Sequence, residues 1–520
     1  MSRSSASRGA RVYLRPVKRP MSPSSRGLIP GLFLALAAAF AILTLNNHWL
    51  LPAVDDDGVA YLVAAPHLAE GQAPAIPIVD FDATEATTGL GNRGTAMPLA
   101  MAGIVRTGSR PHVAALWVLA LSAALALLTA AWVAGGVAGI PGALVAGLAL
   151  AGASLTLEAV TAVRPEVLVM ALVGLLLGLM TYRPGWSALH GVPAALAWLA
   201  HPVGVGAVAA AVLWPLRRTR RRRDVAATAL AAFPAVVLLA LPGLLHGTLV
   251  PPGLPGLTEA GPASAVAGLL GWLGAGFGGV PGPLLGLLVA IAVVAMVLFD
   301  VRTTPTPAPD VHWSDPAASD ALAAALRPAA GLLLLGLGAA AVLTAKTGGA
   351  LTRPWAPMAL PLAVLATSAA VRLARRGSGA RSVLPAAVLI VWMSVSSVNA
   401  VLAFRDIRAE GRGHTAKVWV QSEVIRWLDN RSKSYQVLYA TDPALVLFQT
   451  QRIARGMPSD SERHAAFVAR FRMEPGPVVL TGDGTGEAEA LMAELGLVEI
   501  VRAPEGRILV PGARLEASRP

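Results

Sequence analysis

The 520-residue chain is 55% hydrophobic and only 14% charged, with a mean hydropathy of +0.61, which excludes an ordinary soluble protein. Its net charge of +12 does not point to nucleic acid, because the arginines sit in short clusters beside apolar runs, as cytoplasmic loops of membrane proteins do. The absence of cysteine excludes disulfides and thiolate metal sites.

Apolar runs of about 20 residues, each long enough to cross a bilayer core, recur through 28–404. Small residues dominate them, and small residues let membrane helices approach closely. Residues 1–27 form a basic tail. No small-residue cleavage site follows it, and Asn46-Asn47-His48-Trp49 reads as an interfacial helix end, so 28–46 is a retained first span rather than a signal peptide. The basic tail places the N-terminus in the cytoplasm and the polar loop 50–110 outside. Span 2 is predicted over 112–134, then a glycine turn and span 3 over 140–158. Span 4 opens at Arg164-Pro165, where proline suits a first helical turn, and ends inside near Tyr182-Arg183.

The apolar segment 188–214 must leave and return to the same side, because the basic run Arg217 to Arg223 is also inside. Two full spans need about 40 residues, so this segment reads as a hairpin of two short helices broken at His201-Pro202. Such breaks are tolerated at membrane depth only where they are buried or line a cavity. Further spans are predicted over 225–245, 281–299, 328–345, 354–373 and 382–404. The glycine-rich 264–278 reads as an outer interfacial or re-entrant piece, and 300–327 and Arg372 to Arg381 as inside loops. The fold class is an all-α polytopic bundle of about 11 membrane helices, 28–404, followed by a small α/β extracytoplasmic domain, 405–520. In that domain Val418–Asn430 reads as helix, Tyr435 to Tyr439 as strand, then Pro477–Thr481 as strand and Glu487–Leu495 as helix, with strands at Val498–Val501 and Arg507–Val510. Gly482 to Gly486 follows a strand but lacks a P-loop lysine, which favours a plain strand-to-helix loop over a phosphate site.

Asp55-Asp56-Asp57 lies just beyond the outer end of span 1, followed by Tyr61 and His67. Adjacent carboxylates repel one another, so they raise a pKa or attract a cation. Held at the membrane surface, such a group can deprotonate an acceptor hydroxyl or bind a divalent cation. A solvated loop that stops the helix from sliding inward fits the same residues. Asp80, Asp82 and Glu85 read better as surface groups, and Asn92-Arg93-Gly94 closes the stretch. Glu158, Arg164 and Glu166 cluster at the outer ends of spans 3 and 4, as a functional group or a structural ion pair. His201 sits at the hairpin break. Lys346 and Arg353 bracket a glycine turn on the outer side, where positive charge runs against the usual bias and suits a phosphate.

Taken in order, these pieces resemble the GT-C superfamily, the membrane glycosyltransferases of the mannosyl-, aminoarabinose- and arabinofuranosyltransferase type that use polyprenyl-phosphate sugars. The resemblance rests on Asp56-Asp57-Gly58-Val59-Ala60-Tyr61 with Leu68-Ala69-Glu70-Gly71 after a first span, and on Arg164-Pro165-Glu166 opening a span. It continues with Ala195 to Gly204 ending in Leu213-Trp214, and with Arg353 to Ala366. In the C-terminal part it covers Trp427-Leu428, Val437-Leu438, Asp442-Pro443-Ala444-Leu445, Arg452 to Arg455 and Pro458. The resemblance implies that Asp57 is the catalytic carboxylate with Asp56 its neighbour, and that Glu158 is the second acidic position. It implies that Arg353, with Lys346 and Arg164, meets the donor phosphate, and that Tyr61 and His201 line the substrate cavity. Metal use stays open, with Mg²⁺ or Mn²⁺ as the candidate cation. Two departures stand out: Gly58 replaces a second acid or bulky residue, which leaves the choice among Asp55, Asp56 and Asp57 open, and Pro354-Trp355 replaces the aromatic beside the arginine. The implied reaction is transfer from a polyprenyl-phosphate sugar to a glycan, lipid or protein outside the membrane. A transporter or flippase also uses broken helices at mid-depth, and an inactive scaffold would keep the architecture without the acid.

Overall fold

A computed structural model describes residues 23–47, 53–83, 93–216, 222–244, 317–344, 353–376, 383–388, 409–431, 435–458, 463–482 and 485–512, with single residues at 90, 295, 300, 390, 394, 398, 401, 402 and 405. The expected spans 281–299 and 382–404, the piece 264–278 and most of the loop 300–327 lie wholly or largely outside them.

Helix α1 (Pro23–Asn47) packs along α4 (Pro111–Ala151) through small residues. A Cβ on Gly27 would stand 2.5 Å from the Ala131 carbonyl oxygen, so only glycine permits this backbone approach. The expected glycine turn between spans 2 and 3 is one residue, Gly139, whose φ of 74° interrupts α4. The second half of α4 then ends at Ala151, and a separate short helix α5 (Ser154–Thr161) carries Glu158. Span 3 is therefore shorter than its predicted 140–158, because Gly152-Ala153 breaks the helical run. Helix α6 (Glu166–Tyr182) follows as expected, with Pro165 just before its first residue.

The hairpin forms as read. Helix α7 (Ser187–Ala200) ends at His201, which is extended, a 3₁₀ turn covers Pro202–Gly204, and α8 (Val205–Leu216) runs on. A Cβ on Gly204 would lie 2.1 Å from Ala197 backbone atoms, so this glycine lets the second arm leave close to the first. Among the described residues three helices are long and apolar enough to cross a bilayer: Pro111–Ala151, Ser319–Leu343 and Trp355–Arg375. Shorter apolar helices accompany them, so the number of spans is settled only down to these. The helix Ala317–Thr344 begins eleven residues earlier than read, inside the predicted loop. Arg372 explains the extension. Its buried guanidinium meets Asp320 at 3.0 Å and Asp300 at 3.1 Å, and Arg327 meets Asp300 at 2.7 Å, so the ends of these helices are fastened by paired buried charges.

The C-terminal part is a six-stranded sheet in the order β1-β3-β2-β4-β6-β5: β1 Val79–Asp80, β2 Tyr439–Ala440, β3 Arg455–Gly456, β4 Val478–Thr481, β5 Leu497–Ala503 and β6 Gly506–Pro511. Strands β1 to β4 pair parallel, and β6 pairs antiparallel with β4 and β5. The edge strand β1 comes from the polar segment 50–110, far from the other five strands in the chain. Phe81, beside it, is 1% exposed and packs edge-on against Phe467. Asp80 and Asp82 grip Arg463 at 2.8 and 2.7 Å, and its guanidinium lies over the Phe81 ring. The sequence favoured plain surface groups here; Asp80 and Asp82 are about half exposed but paired, and Glu85 lies outside the described residues. The predicted strand Tyr435 to Tyr439 is strand only from Tyr439. Tyr435 instead packs against Trp427, and its carbonyl accepts from Arg452.

Candidate functional site

The three aspartates begin α2 (Asp56–Ala69). Asp55 is its N-cap and accepts from the Gly58 N–H at 3.0 Å, so the triplet sits where unpaired helix N–H groups favour negative charge. Gly58 earns its place by contact: a Cβ there would press on Val163 and Val54 at 3.2 Å. The preceding residues act as a rib. Ala53 donates to Thr161 and accepts from Val163, and Val54 accepts from the His414 N–H at 2.7 Å. The rib therefore joins the α5–α6 junction on one side to the stalk of the C-terminal domain on the other.

Each aspartate then meets a different partner. Asp55 accepts from Arg164 Nε at 2.9 Å, and Asp57 accepts from Arg93 Nε at 2.7 Å. Asp56 lies 3.1 Å from Nε2 of His414, whose other ring nitrogen is 3.7 Å from Asp442. The hydrogen bond to His414 holds the Asp56 carboxyl below its ordinary value, against the effect of burial. Burial alone would lower the His414 imidazole, but Asp56, Asp442 and Asp55 together raise it. Burial raises Asp442. Tyr61 is fully buried behind the triplet, and burial, helped by the charges of Asp57 and Glu166, pushes its phenol well above the usual range.

Gly94, next to Arg93, lies against the hairpin break: a Cβ on it would stand 2.1 Å from the Ala200 carbonyl oxygen. His201 follows directly and accepts from the Val203 N–H at 3.2 Å. The fold thus brings Asp57, Arg93 and the His201 break into one neighbourhood. Arg353 opens a 3₁₀ turn, Arg353–Met358, that packs against α5, the helix of Glu158. The side chains of Glu158 and Arg353 lie outside the described residues, as does the whole of Lys346. Arg164, expected at the donor phosphate, is engaged by Asp55, and Glu166 is buried.

Arg93, His414 and Asp442 were not selected from the sequence as site residues. Arg93 and Asp442 sit in stretches noted for other reasons, and the Asp442-Pro443 pair is itself a helix-start signal, with Asp442 accepting from the Leu445 N–H at 2.8 Å. His414 carries no local signal, because its partners are far away in the chain.

No protein-family model matches this chain, and no curated protein matches it in sequence. In three dimensions it is similar to ArnT from Cupriavidus metallidurans bound to undecaprenyl phosphate, with TM-score 0.55 at 12% identity over 94% of this chain and 98% of that one. It is also similar to the apo oligosaccharyltransferase of Archaeoglobus fulgidus, with TM-score 0.51 at 12% identity over 89% of this chain and 71% of that one. The same enzyme in complex with Zn and sulfate gives 0.51 at 14% identity over 92% and 73%. The likeness is one of fold: this chain is an integral membrane protein with the GT-C fold.

Proposed function

We propose that this chain is a membrane glycosyltransferase that moves a sugar from a polyprenyl phosphate or pyrophosphate carrier to an acceptor outside the membrane. The observation that carries the reading is the seating of Asp57, which is held by Arg93, whose neighbour Gly94 packs against the hairpin just before the His201 break. Asp57 takes the proton of an acceptor hydroxyl as that oxygen attacks the anomeric carbon. The bond from carbon to the phosphate oxygen breaks, the lipid phosphate leaves, and the configuration inverts. Arg353 and Lys346, with Arg164, supply positive charge to the leaving phosphate, the contribution that is usually largest in such reactions. Glu158 and Asp56 orient the acceptor, and Tyr61 and His201 shape the cavity. ArnT was crystallised with undecaprenyl phosphate, which supports a lipid carrier here. In this reading the N-terminus faces the cytoplasm and the C-terminal domain lies outside, where it helps select a glycan, lipid or protein acceptor.

The test is Asp57→Asn, which keeps the shape and can still accept from Arg93. Transfer from a labelled polyprenyl-phosphate sugar should fall by about 10²- to 10⁴-fold while the protein inserts and melts normally. Unchanged transfer overturns the role of Asp57. Movement of the lipid-linked sugar across proteoliposomes without bond cleavage would turn the reading towards a transporter.

A further inference from the structure

We propose that Asp56, His414 and Asp442 form a binding site for a divalent transition-metal ion, which fastens the C-terminal domain to the acidic loop. One oxygen from each carboxylate and one nitrogen of the imidazole all lie within 4.8 Å of one another. A metal at about 2.0–2.2 Å from each donor needs donors roughly 3.4 Å apart, so an adjustment of about an ångström closes the set. Asp56 is free to make it, since its side chain is 63% exposed while that of His414 is 8% exposed.

The other two donors are already aimed. The His414 N–H donates to the Val54 carbonyl, and its own carbonyl accepts from Gln449 Nε2, so the ring is fixed at both main-chain ends. Asp442 uses Oδ1 to cap the helix Pro443–Thr450 and turns Oδ2 to Nδ1 of His414, the ring nitrogen opposite the one Asp56 meets. On binding, the exposed Asp56 carboxylate therefore swings to the nitrogen that takes the metal. Outer-shell support of this kind is what holds metal ligands in place. The neighbours also explain why Asp56 is the one available. Asp55 and Asp57 face arginines, which never give up their charge, whereas Asp56 faces a histidine, which can exchange a proton for a metal ion. Two carboxylate oxygens with one imidazole suit Zn²⁺ or Mn²⁺, and the exposed Asp56 side leaves room for water ligands. The three ligands come from the outer loop, the stalk and the C-terminal domain. A bound ion therefore ties together parts that sequence separates by more than 350 residues.

The proposal stands apart from the transferase reading, because binding is measured without turnover. The full-length protein in detergent, stripped with a chelator, is titrated with Zn²⁺ and Mn²⁺ by calorimetry and with Co²⁺ by visible absorption. The expected result is one saturable site, with a thermal midpoint that rises on binding. Asp442→Asn retains the helix cap, and His414→Gln retains a polar side chain. Each should weaken binding at least about 100-fold and abolish the thermal shift, while still folding and unfolding cooperatively without metal. Absence of a saturable site in folded wild-type protein overturns the proposal and leaves His414 as a metal-free bridge between two aspartates. Equal affinity in wild type and both variants overturns it as well, by showing an adventitious ion only.

Discussion

Gly94→Ala tests whether the seating of the loop on the hairpin break positions the acid. The added methyl would stand 2.1 Å from the Ala200 oxygen, 2.3 Å from its carbonyl carbon and 2.4 Å from the Leu199 oxygen. An ordinary carbon–oxygen contact is about 3.3 Å, so relief demands a shift of roughly 1 Å. The hairpin side cannot supply it, because Leu199 and Ala200 are buried and the His201 N–H is bonded to the Ala197 carbonyl. The loop moves instead and takes Arg93 away from Asp57. Overpacking of this size costs about 1–3 kcal/mol. A catalytic group displaced by about 1 Å loses on the order of 100-fold in rate. The assays are transfer from a labelled polyprenyl-phosphate sugar and thermal unfolding followed by tryptophan fluorescence. Gly103→Ala is the control: nothing lies within 4 Å of its Cβ position inside helix Ala96–Val105, so it should gain about 0.5–1 kcal/mol and keep full activity. A folded Gly94→Ala protein with wild-type transfer would refute the argument that this contact sets the site.

Three further outcomes follow from the same geometry. Phe81→Ala should destabilise the C-terminal domain by about 3–5 kcal/mol although it lies in the distant segment 50–110, since its ring is buried against Phe467; limited proteolysis of the domain reports it. In chelator-treated protein the pH dependence has a defined sign. His414 is raised from 6.5, so its contribution is complete below that pH and is lost as pH rises through the higher folded value. Asp56 is lowered from 3.8, so its contribution is present above that pH and disappears only as pH falls through the lower folded value. The melting temperature should therefore drop above about pH 6.5 in wild type, and His414→Gln should flatten that limb. Finally, the native chain has no cysteine, so Met473→Cys, at a side chain 70% exposed, gives a single label site. A membrane-impermeant maleimide should modify it in intact cells; protection until lysis would reverse the proposed orientation.

The membrane class and the broken hairpin at His201-Pro202 were legible in the sequence. Burial in lipid demands apolar runs of fixed length, and a basic run on each side of a short segment forces it to turn back. The strand and helix positions from Pro477 to Val510 were legible for a similar reason, since local alternation and turn residues set them. The helix Asp56–Ala69 was not read from the sequence, which showed there only a polar loop with three aspartates, although carboxylates suit a helix N-terminus. What sequence could not decide was which side chain each aspartate meets. Arg164 reads as a phosphate ligand and the structure adds its ion pair with Asp55, while Arg93 and His414 reach Asp57 and Asp56 from far along the chain. The loop strand Val79–Asp80 likewise gave no sign that it would pair with Arg455–Gly456. Helices and turns are specified by neighbours within a few residues, whereas ion pairs and sheet edges depend on where separate segments meet. Only the packed chain brings the rib at Ala53-Val54, the hairpin break and the C-terminal domain together around one carboxylate cluster.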